Sequence, residues 1–432
     1  MTTTPPPFLH ATAPLRGWLA LAIGLTVAAF HFAHGMALTH SVLLQSFNWV
    51  FDFDSSRFVG GWCTAGADVA RDLDLSFVAR HALSLATRPA CLALLPVVGT
   101  PNLALIALTA LCAGLAAAQA YGLAAAFCTA ELDRVLLALG YAVSVHPLLL
   151  GIIPETYGFA LMGIGLHWVL LAHGQADPLR AGAWARLSLF LNLGFTVTNA
   201  ALNAVSSAAL AWQRVSLRRW LLLETRSWLI AGGALAVVLV TTAALYAPDL
   251  LATMGGAPQK VWWTVNINRG EPASLLMVVV TFVLYSFVAP AMTVIALPAP
   301  DLHAMLDFRA FQFSPAGWVA LALWTVAMAV GSRLAWRDAA LRRLLVVAGV
   351  WLLMNITLHA YWQYRGSIYL YGAHTSFTLF AVLAMGYGCA LQRFAIGRVR
   401  LFAAALLVST AVNNGGRYIE MVHFLLQQPL LP

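Results

Sequence analysis

The sequence predicts an all-α integral membrane protein, a single polytopic domain over residues 1–432 with about ten to twelve transmembrane helices. Three observations predict it. Hydrophobic residues make up 61% of the chain, only 9% is charged, and the mean hydropathy is +0.81. The apolar residues also fall in a succession of long runs parted by short polar turns. Hydrocarbon leaves backbone N–H and C=O groups unmet unless a helix pairs them internally, so each run of roughly 20 apolar residues is a candidate span.

The opening stretch, MTTTPPPFLHATAPLR, is polar and Pro-rich, and the run over 17–39 that follows has no small-residue cleavage site. It reads as a retained span and not as a removed signal peptide. Arg16 holds its leading side inside, which sends the segment over about 45–76 outside. That segment carries five aspartates against two arginines, as a translocated acidic loop should.

The run over 81–98 is interrupted by Arg88 and Pro89 and preceded by Arg80 and His81, so it either crosses or lies along the interface. In the second case TAELDR (129–134) is inside and PETY (154–157) outside. Further runs cover 103–128, 135–153, 157–173, 187–212, 228–247, 274–297, 316–334, 344–361, 374–391 and 400–413. Arginine-rich turns at 333–343 and 393–400 read as inside, which puts YWQYRGSIYLYGAH (361–374) outside. The cluster from Arg214 to Arg226 also belongs inside, yet simple counting leaves one crossing too many or too few. One run between 187 and 297 is therefore a re-entrant pair or two short helices, with TVTNAALN (196–203) as the expected break.

Cys63, Cys91, Cys112, Cys128 and Cys389 show no CxxC spacing and mostly fall in apolar runs, which argues against a zinc site or a disulfide framework. The net charge of +8 comes mainly from arginines in short loops. It speaks for membrane topology and against a nucleic-acid partner.

In FDFDSSRF the carboxylates of Asp52 and Asp54 alternate with Phe51 and Phe53, so an extended backbone puts both acids on one face. Near an apolar boundary such a carboxylate is poorly solvated and suited to proton abstraction. The same pair also suits a divalent cation such as Mg or Mn, which prefers hard oxygen ligands, and a hydrated interfacial loop is the plain alternative. Glu155, just after Pro154, either caps the next helix or points into a site shared with the first loop.

YWQYRGSIYLYGAH gathers Arg365, Tyr369, Tyr371 and His374 around one turn. A guanidinium suits phosphate and tyrosines stack on sugars, although rings of this kind also form ordinary interfacial belts. His31 and His34 share a helix face, but without a matching second pair they read as polar packing and not as haem ligands. NNGGRY (413–418) is expected to trail the last run, with Arg417 either snorkelling or meeting a headgroup phosphate.

With FDFD after the first span, RHALSLATRP next, and PETY opening a later span, the chain resembles bacterial members of the GT-C class of polytopic membrane glycosyltransferases. The resemblance implies a polyprenyl-phosphate-linked sugar donor, a glycan or lipid acceptor, and a site facing the periplasm or exterior of the inner (plasma) membrane. It implies that Asp52 or Asp54 acts as the base or helps place a metal. Donor phosphate would then be held by Arg365 and His374, with Arg57 and Arg88 as further candidates. The chain departs from the class in having no large C-terminal soluble domain and only short late loops, so the acceptor should be small or itself a lipid. The competing expectation is a transporter or flippase of a lipid-linked or anionic solute, using His146, Asn192, Asn199, Asn203 and His359 as a midplane path.

Overall fold

The computed structural model describes residues 17–45, 50–51, 55–64, 77–78, 81–175, 182–212, 214–249, 274–296, 304–309, 311–362 and 368–428. In chain order the helices are α1 (Gly17–Ala37), α2 (Ser55–Phe58), α3 (Ala82–Val98), α4 (Pro101–Ala125), α5 (Glu131–Ala142), α6 (Val145–Leu150), α7 (Thr156–Ala172) and α8 (Ala183–Phe195). They continue with α9 (Ala200–Ala211), α10 (Leu217–Tyr246), α11 (Leu275–Val280), α12 (Pro315–Ala335), α13 (Ala339–Trp362), α14 (Ile368–Arg393) and α15 (Ile396–Gln427). Seven of them, α1, α4, α10, α12, α13, α14 and α15, are long and apolar enough to cross a membrane.

The starts of several helices are written locally. Thr100 before Pro101, Ser216 before α10 and Ser314 before Pro315 each accept a backbone N–H from the first turn, which meets donors the helix cannot. Glu155 does the same for α7.

Contacts between elements fix their directions. Asn102 at the head of α4 donates to the Thr39 carbonyl beyond the end of α1, at 2.9 Å, so these two helices run antiparallel. Their backbones approach closely where Gly24 faces Gly114, and a side chain at either would collide. The first turn of α5 meets the head of α15, because Asp133 takes both Arg400 Nε and Nη2 at 2.9 Å. From there α5 rises past Phe377 and Phe380 of α14 to Tyr141, and α6 reaches the head of α14, where His146 stacks on Tyr369. The molecule thus has an arginine-rich end, with Arg134, Arg214, Arg333, Arg398 and Arg400, and an opposite loop end. Helix α14 is the central post, with 89% of its apolar window buried. Tyr369, Leu370 and Ala373 belong to the hydrophobic core at the loop end, and Phe377 to Cys389 to the one toward the arginine-rich end.

The long apolar helices are fewer than the ten to twelve expected from the apolar runs: the run over 135–153 divides into the short α5 and α6, α7 is only 17 residues long, and three further runs depart for separate physical reasons. The run over 81–98 forms α3, which carries Pro89 and Pro96 and stays at the loop end: its Arg88 binds Gly61 and Tyr246 there, and its far end hands over to Thr100. The run over 187–212 breaks at the expected TVTNAALN stretch. A 3-10 turn at Val197–Asn199 separates α8 from α9, which fold back on each other as Asn192 donates to Asn203 at 2.8 Å and Asn203 donates to Ser188 at 3.1 Å. At 13 and 12 residues each arm is about 18–20 Å long, short of the roughly 30 Å hydrocarbon core. This re-entrant hairpin removes the odd crossing and returns Arg214 to the arginine-rich end.

The run over 274–297 is the third. After α11 and a π-helical turn at Thr281–Tyr285 it leaves the helix before Pro290, and Met292–Ala296 becomes strand β1. It pairs antiparallel with β2 (Ala304–Phe308) in the register Met292 to Phe308. β-branched Thr293, Val294 and Ile295 suit a strand as well as a span, so hydropathy alone could not tell them apart.

Two further expectations are corrected. Cys63 and Cys91 form a disulfide with Cα atoms 5.2 Å apart. Because α3 lies along the loop end, its cysteine meets the first loop, a pairing that sequence spacing does not reveal. NNGGRY does not trail the last helix but lies within α15. Asn413 and Asn414 hold the unwound backbone after α11, Asn413 donating to Ala289 and Asn414 to Phe287 and Val143, each at 2.8 Å. Arg417 pairs with Glu420 on the same helix.

Candidate functional site

The loop end collects residues from the first loop, from PETY and from the Tyr369–His374 stretch. The β hairpin pins the entrance to FDFD: Val50 bridges to Leu306, and Phe51 N–H donates to the Leu306 carbonyl at 3.0 Å. Phe51 has φ 50°, a left-handed backbone that a bulky side chain adopts only when its surroundings hold it. Here its buried ring packs on Phe308 and Tyr369, with centroids 4.7 and 4.6 Å away. Asp52 and Asp54 themselves lie outside the described residues, as does Arg365.

PETY starts α7. Glu155 is buried, with its carboxylate accepting from Thr156 N at 2.5 Å and Thr156 Oγ1 at 3.0 Å, so the capping half of its expectation is met. Two residues on, the Tyr157 ring faces His374 at 5.5 Å and Tyr371 at 6.1 Å. Tyr371 in turn stacks on His359 of α13, with centroids 4.3 Å apart. His374 lies within electrostatic reach of His359, His81 and His146.

His374 is 5% exposed, and its Nδ1 is buried without a hydrogen-bond partner among the described residues. Leaving such a group unmet costs about 1–3 kcal/mol, which a packed scaffold would normally avoid.

The other expected binding residues separate by environment. Arg88 is buried and commits its guanidinium to backbone carbonyls: Gly60, Gly61 and Thr64 at the end of the first loop's π-helical turn, and Tyr246 at the end of α10. These contacts cap two helix ends and draw them together, which is anchoring work. Arg57 sits over the Phe77 ring at 5.6 Å. Tyr369 is fully enclosed, stacked on His146 and packed by Phe51 and Phe308, so it supports the site from beneath.

Sequence reading missed Tyr157 as an individual residue, although its PETY motif had been noted, and it placed His81 only as an interfacial flank. His81 now bonds the Phe195 carbonyl at 2.7 Å, at the tip of the re-entrant hairpin. His81 lies in RHALSLATRP and His359 was placed on the competing transport path, and only the convergence of α3, α7, α13 and α14 relates them to His374.

The described residues contain no group of three or more His, Cys, Asp or Glu side chains that could hold a metal ion. The cation site expected at Asp52 and Asp54 lies outside the described residues.

Comparison with protein-family models, with curated proteins and with solved structures finds no match to this chain.

Proposed function

We propose that this protein is a membrane glycosyltransferase that moves a sugar from a polyprenyl-phosphate donor to a small glycan or lipid acceptor at the loop end. The observation that carries the reading is convergence: the backbone entering FDFD, the PETY start of α7, and the Tyr371–His374 stretch meet beside Phe51, Tyr369 and Tyr157. These are the segments on which the likeness to the GT-C class rests.

In this reaction a base on Asp52 or Asp54 takes the acceptor hydroxyl proton. The acceptor oxygen forms a bond to the anomeric carbon as the bond to phosphate oxygen breaks, and polyprenyl phosphate departs as the anion. Arg365 and His374 are assigned to that departing charge, where fixed donors stabilise most when water is excluded. Tyr157 and Tyr371 provide ring faces for the sugar.

The loop end is assigned to the exterior of the inner (plasma) membrane. Arginines cluster at the opposite end, as the positive-inside rule requires, and the Cys63–Cys91 disulfide belongs in an oxidising compartment.

A transport reading has one observation of its own, the re-entrant α8–α9 hairpin whose tip carries Asn199, fully buried with both side-chain polar atoms unpartnered among the described residues. One assay separates the two. Purified protein in nanodiscs is given a panel of polyprenyl-phosphate sugars with glycan and lipid acceptors, and release of polyprenyl phosphate is followed. Turnover that disappears in the Asp52→Asn, Asp54→Asn double variant supports the transferase. Donor binding without turnover under every acceptor, together with movement of donor across liposomes, overturns it in favour of transport.

A further inference from the structure

A second site lies at the far end of the molecule from the one just described. An elongated apolar cavity of about 320 Å³ opens between α5, α12, α14 and α15. Leu136 and Gly140 of α5, Val330 of α12, Leu383 of α14 and Leu407 of α15 are among its walls, and Arg398 stands at its mouth on the arginine-rich end. From Arg398 to Leu407 the wall formed by α15 runs nine residues, about 14 Å at helical rise. That is close to the depth of one leaflet, half of the roughly 30 Å hydrocarbon core.

The mouth is cationic and unspent. Arg398 is exposed, and its guanidinium forms no hydrogen bond or ion pair among the described residues, whereas Arg400, two positions on, is tied to Asp133. The cavity persists because small residues line it. Gly331 and Gly386 bring α12 and α14 into backbone contact at its floor, and a side chain built at Gly140 would meet nothing within 4 Å.

We infer that this cavity is a binding site for one anionic phospholipid from the leaflet at the arginine-rich end, its acyl chain lying between α14 and α15 and its phosphate on Arg398. The apolar length suits an acyl chain, the open cation suits the headgroup, and the two stand one leaflet's depth apart. The bound chain fills the space that α14 and α15 leave between them, so occupancy stabilises the packing of the last helix. The inference does not depend on the transferase reading.

Native mass spectrometry of the purified full chain tests it, with phosphatidylglycerol and phosphatidylcholine of identical acyl chains as probes. A phosphatidylglycerol carrying a photoreactive acyl tail reports the position. Wild type should retain one phosphatidylglycerol in preference to phosphatidylcholine, with crosslinks on Phe402 to Leu407. Arg398→Gln should weaken phosphatidylglycerol binding about fivefold and leave phosphatidylcholine unchanged. Gly140→Phe should fill the cavity and abolish retention of either lipid, and Gly140→Leu provides the same test with a smaller side chain. Equal retention of both lipids by wild type, unchanged retention in Arg398→Gln and both Gly140 variants, or crosslinks confined to other helices would overturn the assignment.

Discussion

At the arginine-rich end Asp133 is buried with both carboxylate oxygens engaged, by Arg400 Nε and Nη2 at 2.9 Å and by Tyr387 Oη at 2.7 Å. At the loop end His374 is equally buried, yet its Nδ1 meets nothing among the described residues. Both groups are out of water, but Asp133 completes its hydrogen bonds and His374 Nδ1 does not. A satisfied, half-buried ion pair fixes how helices dock, and here it ties the first turn of α5 to α15, with Tyr387 adding α14. An unsatisfied group offers no such return, and on the proposed reading a ligand completes His374, which has three other imidazoles within electrostatic reach and the rings of Tyr157 and Tyr371 nearby.

The loop end has its own scaffold, and the largest effect is expected there. Arg88→Met keeps the bulk but strips four backbone carbonyls of their donor, and should cost about 3–5 kcal/mol of stability. Thermal unfolding in nanodiscs measures it, and donor affinity in the surviving folded fraction should stay near wild type. A selective loss of donor affinity with normal stability would return Arg88 to the binding site.

Next in size is the Cys63–Cys91 tether, which closes 28 residues of chain. Its removal by Cys63→Ser, or by reduction in wild type, should lower stability by about 3 kcal/mol. The same change should expose the first loop to protease. Equal protease resistance with and without reductant would show that Arg88 alone holds the loop.

The remaining contrasts are matched across the two ends. Asp133→Asn should lower the unfolding temperature while leaving transfer per folded molecule within about twofold, since removing a buried charge partner affects packing and not chemistry. Tyr157→Phe should have the smallest effect: it keeps the ring and its contact with His374, so transfer should fall only a few fold, visible as a rise in KM for the donor sugar. A loss of about 10²-fold in kcat would instead make the hydroxyl part of the reacting centre.

Much of the fold was legible from residue chemistry alone. The distribution of arginines sorted the turns onto one end, Pro89 with Arg88 raised the alternative that α3 does not cross, and TVTNAALN was the expected hairpin break. What stayed hidden depended on tertiary context. Met292–Ala296 is apolar enough for a span and becomes a strand because Phe308 and its neighbours offer a partner edge. Cys91 finds Cys63 only because α3 stays at the loop end. Asn413 and Asn414 looked like a helix end, but α15 continues because their side chains are spent on the unwound backbone beside it. Of the candidate site, Tyr371 and His374 are brought together with the PETY segment, while Arg88 and Tyr369 serve as supports. Asp52, Asp54 and Arg365 lie outside the described residues, and their roles rest on the sequence and on the pinned Phe51 beside them.

The most direct measurement compares His374→Gln with Asp133→Asn in one experiment, recording transfer per folded molecule and unfolding temperature for each. The account predicts crossed losses: His374→Gln falls by about 10²-fold in transfer with little change in unfolding temperature, and Asp133→Asn does the reverse. If His374→Gln instead unfolds early and keeps its activity per folded molecule, the loop end is scaffold like the other, and the site lies elsewhere.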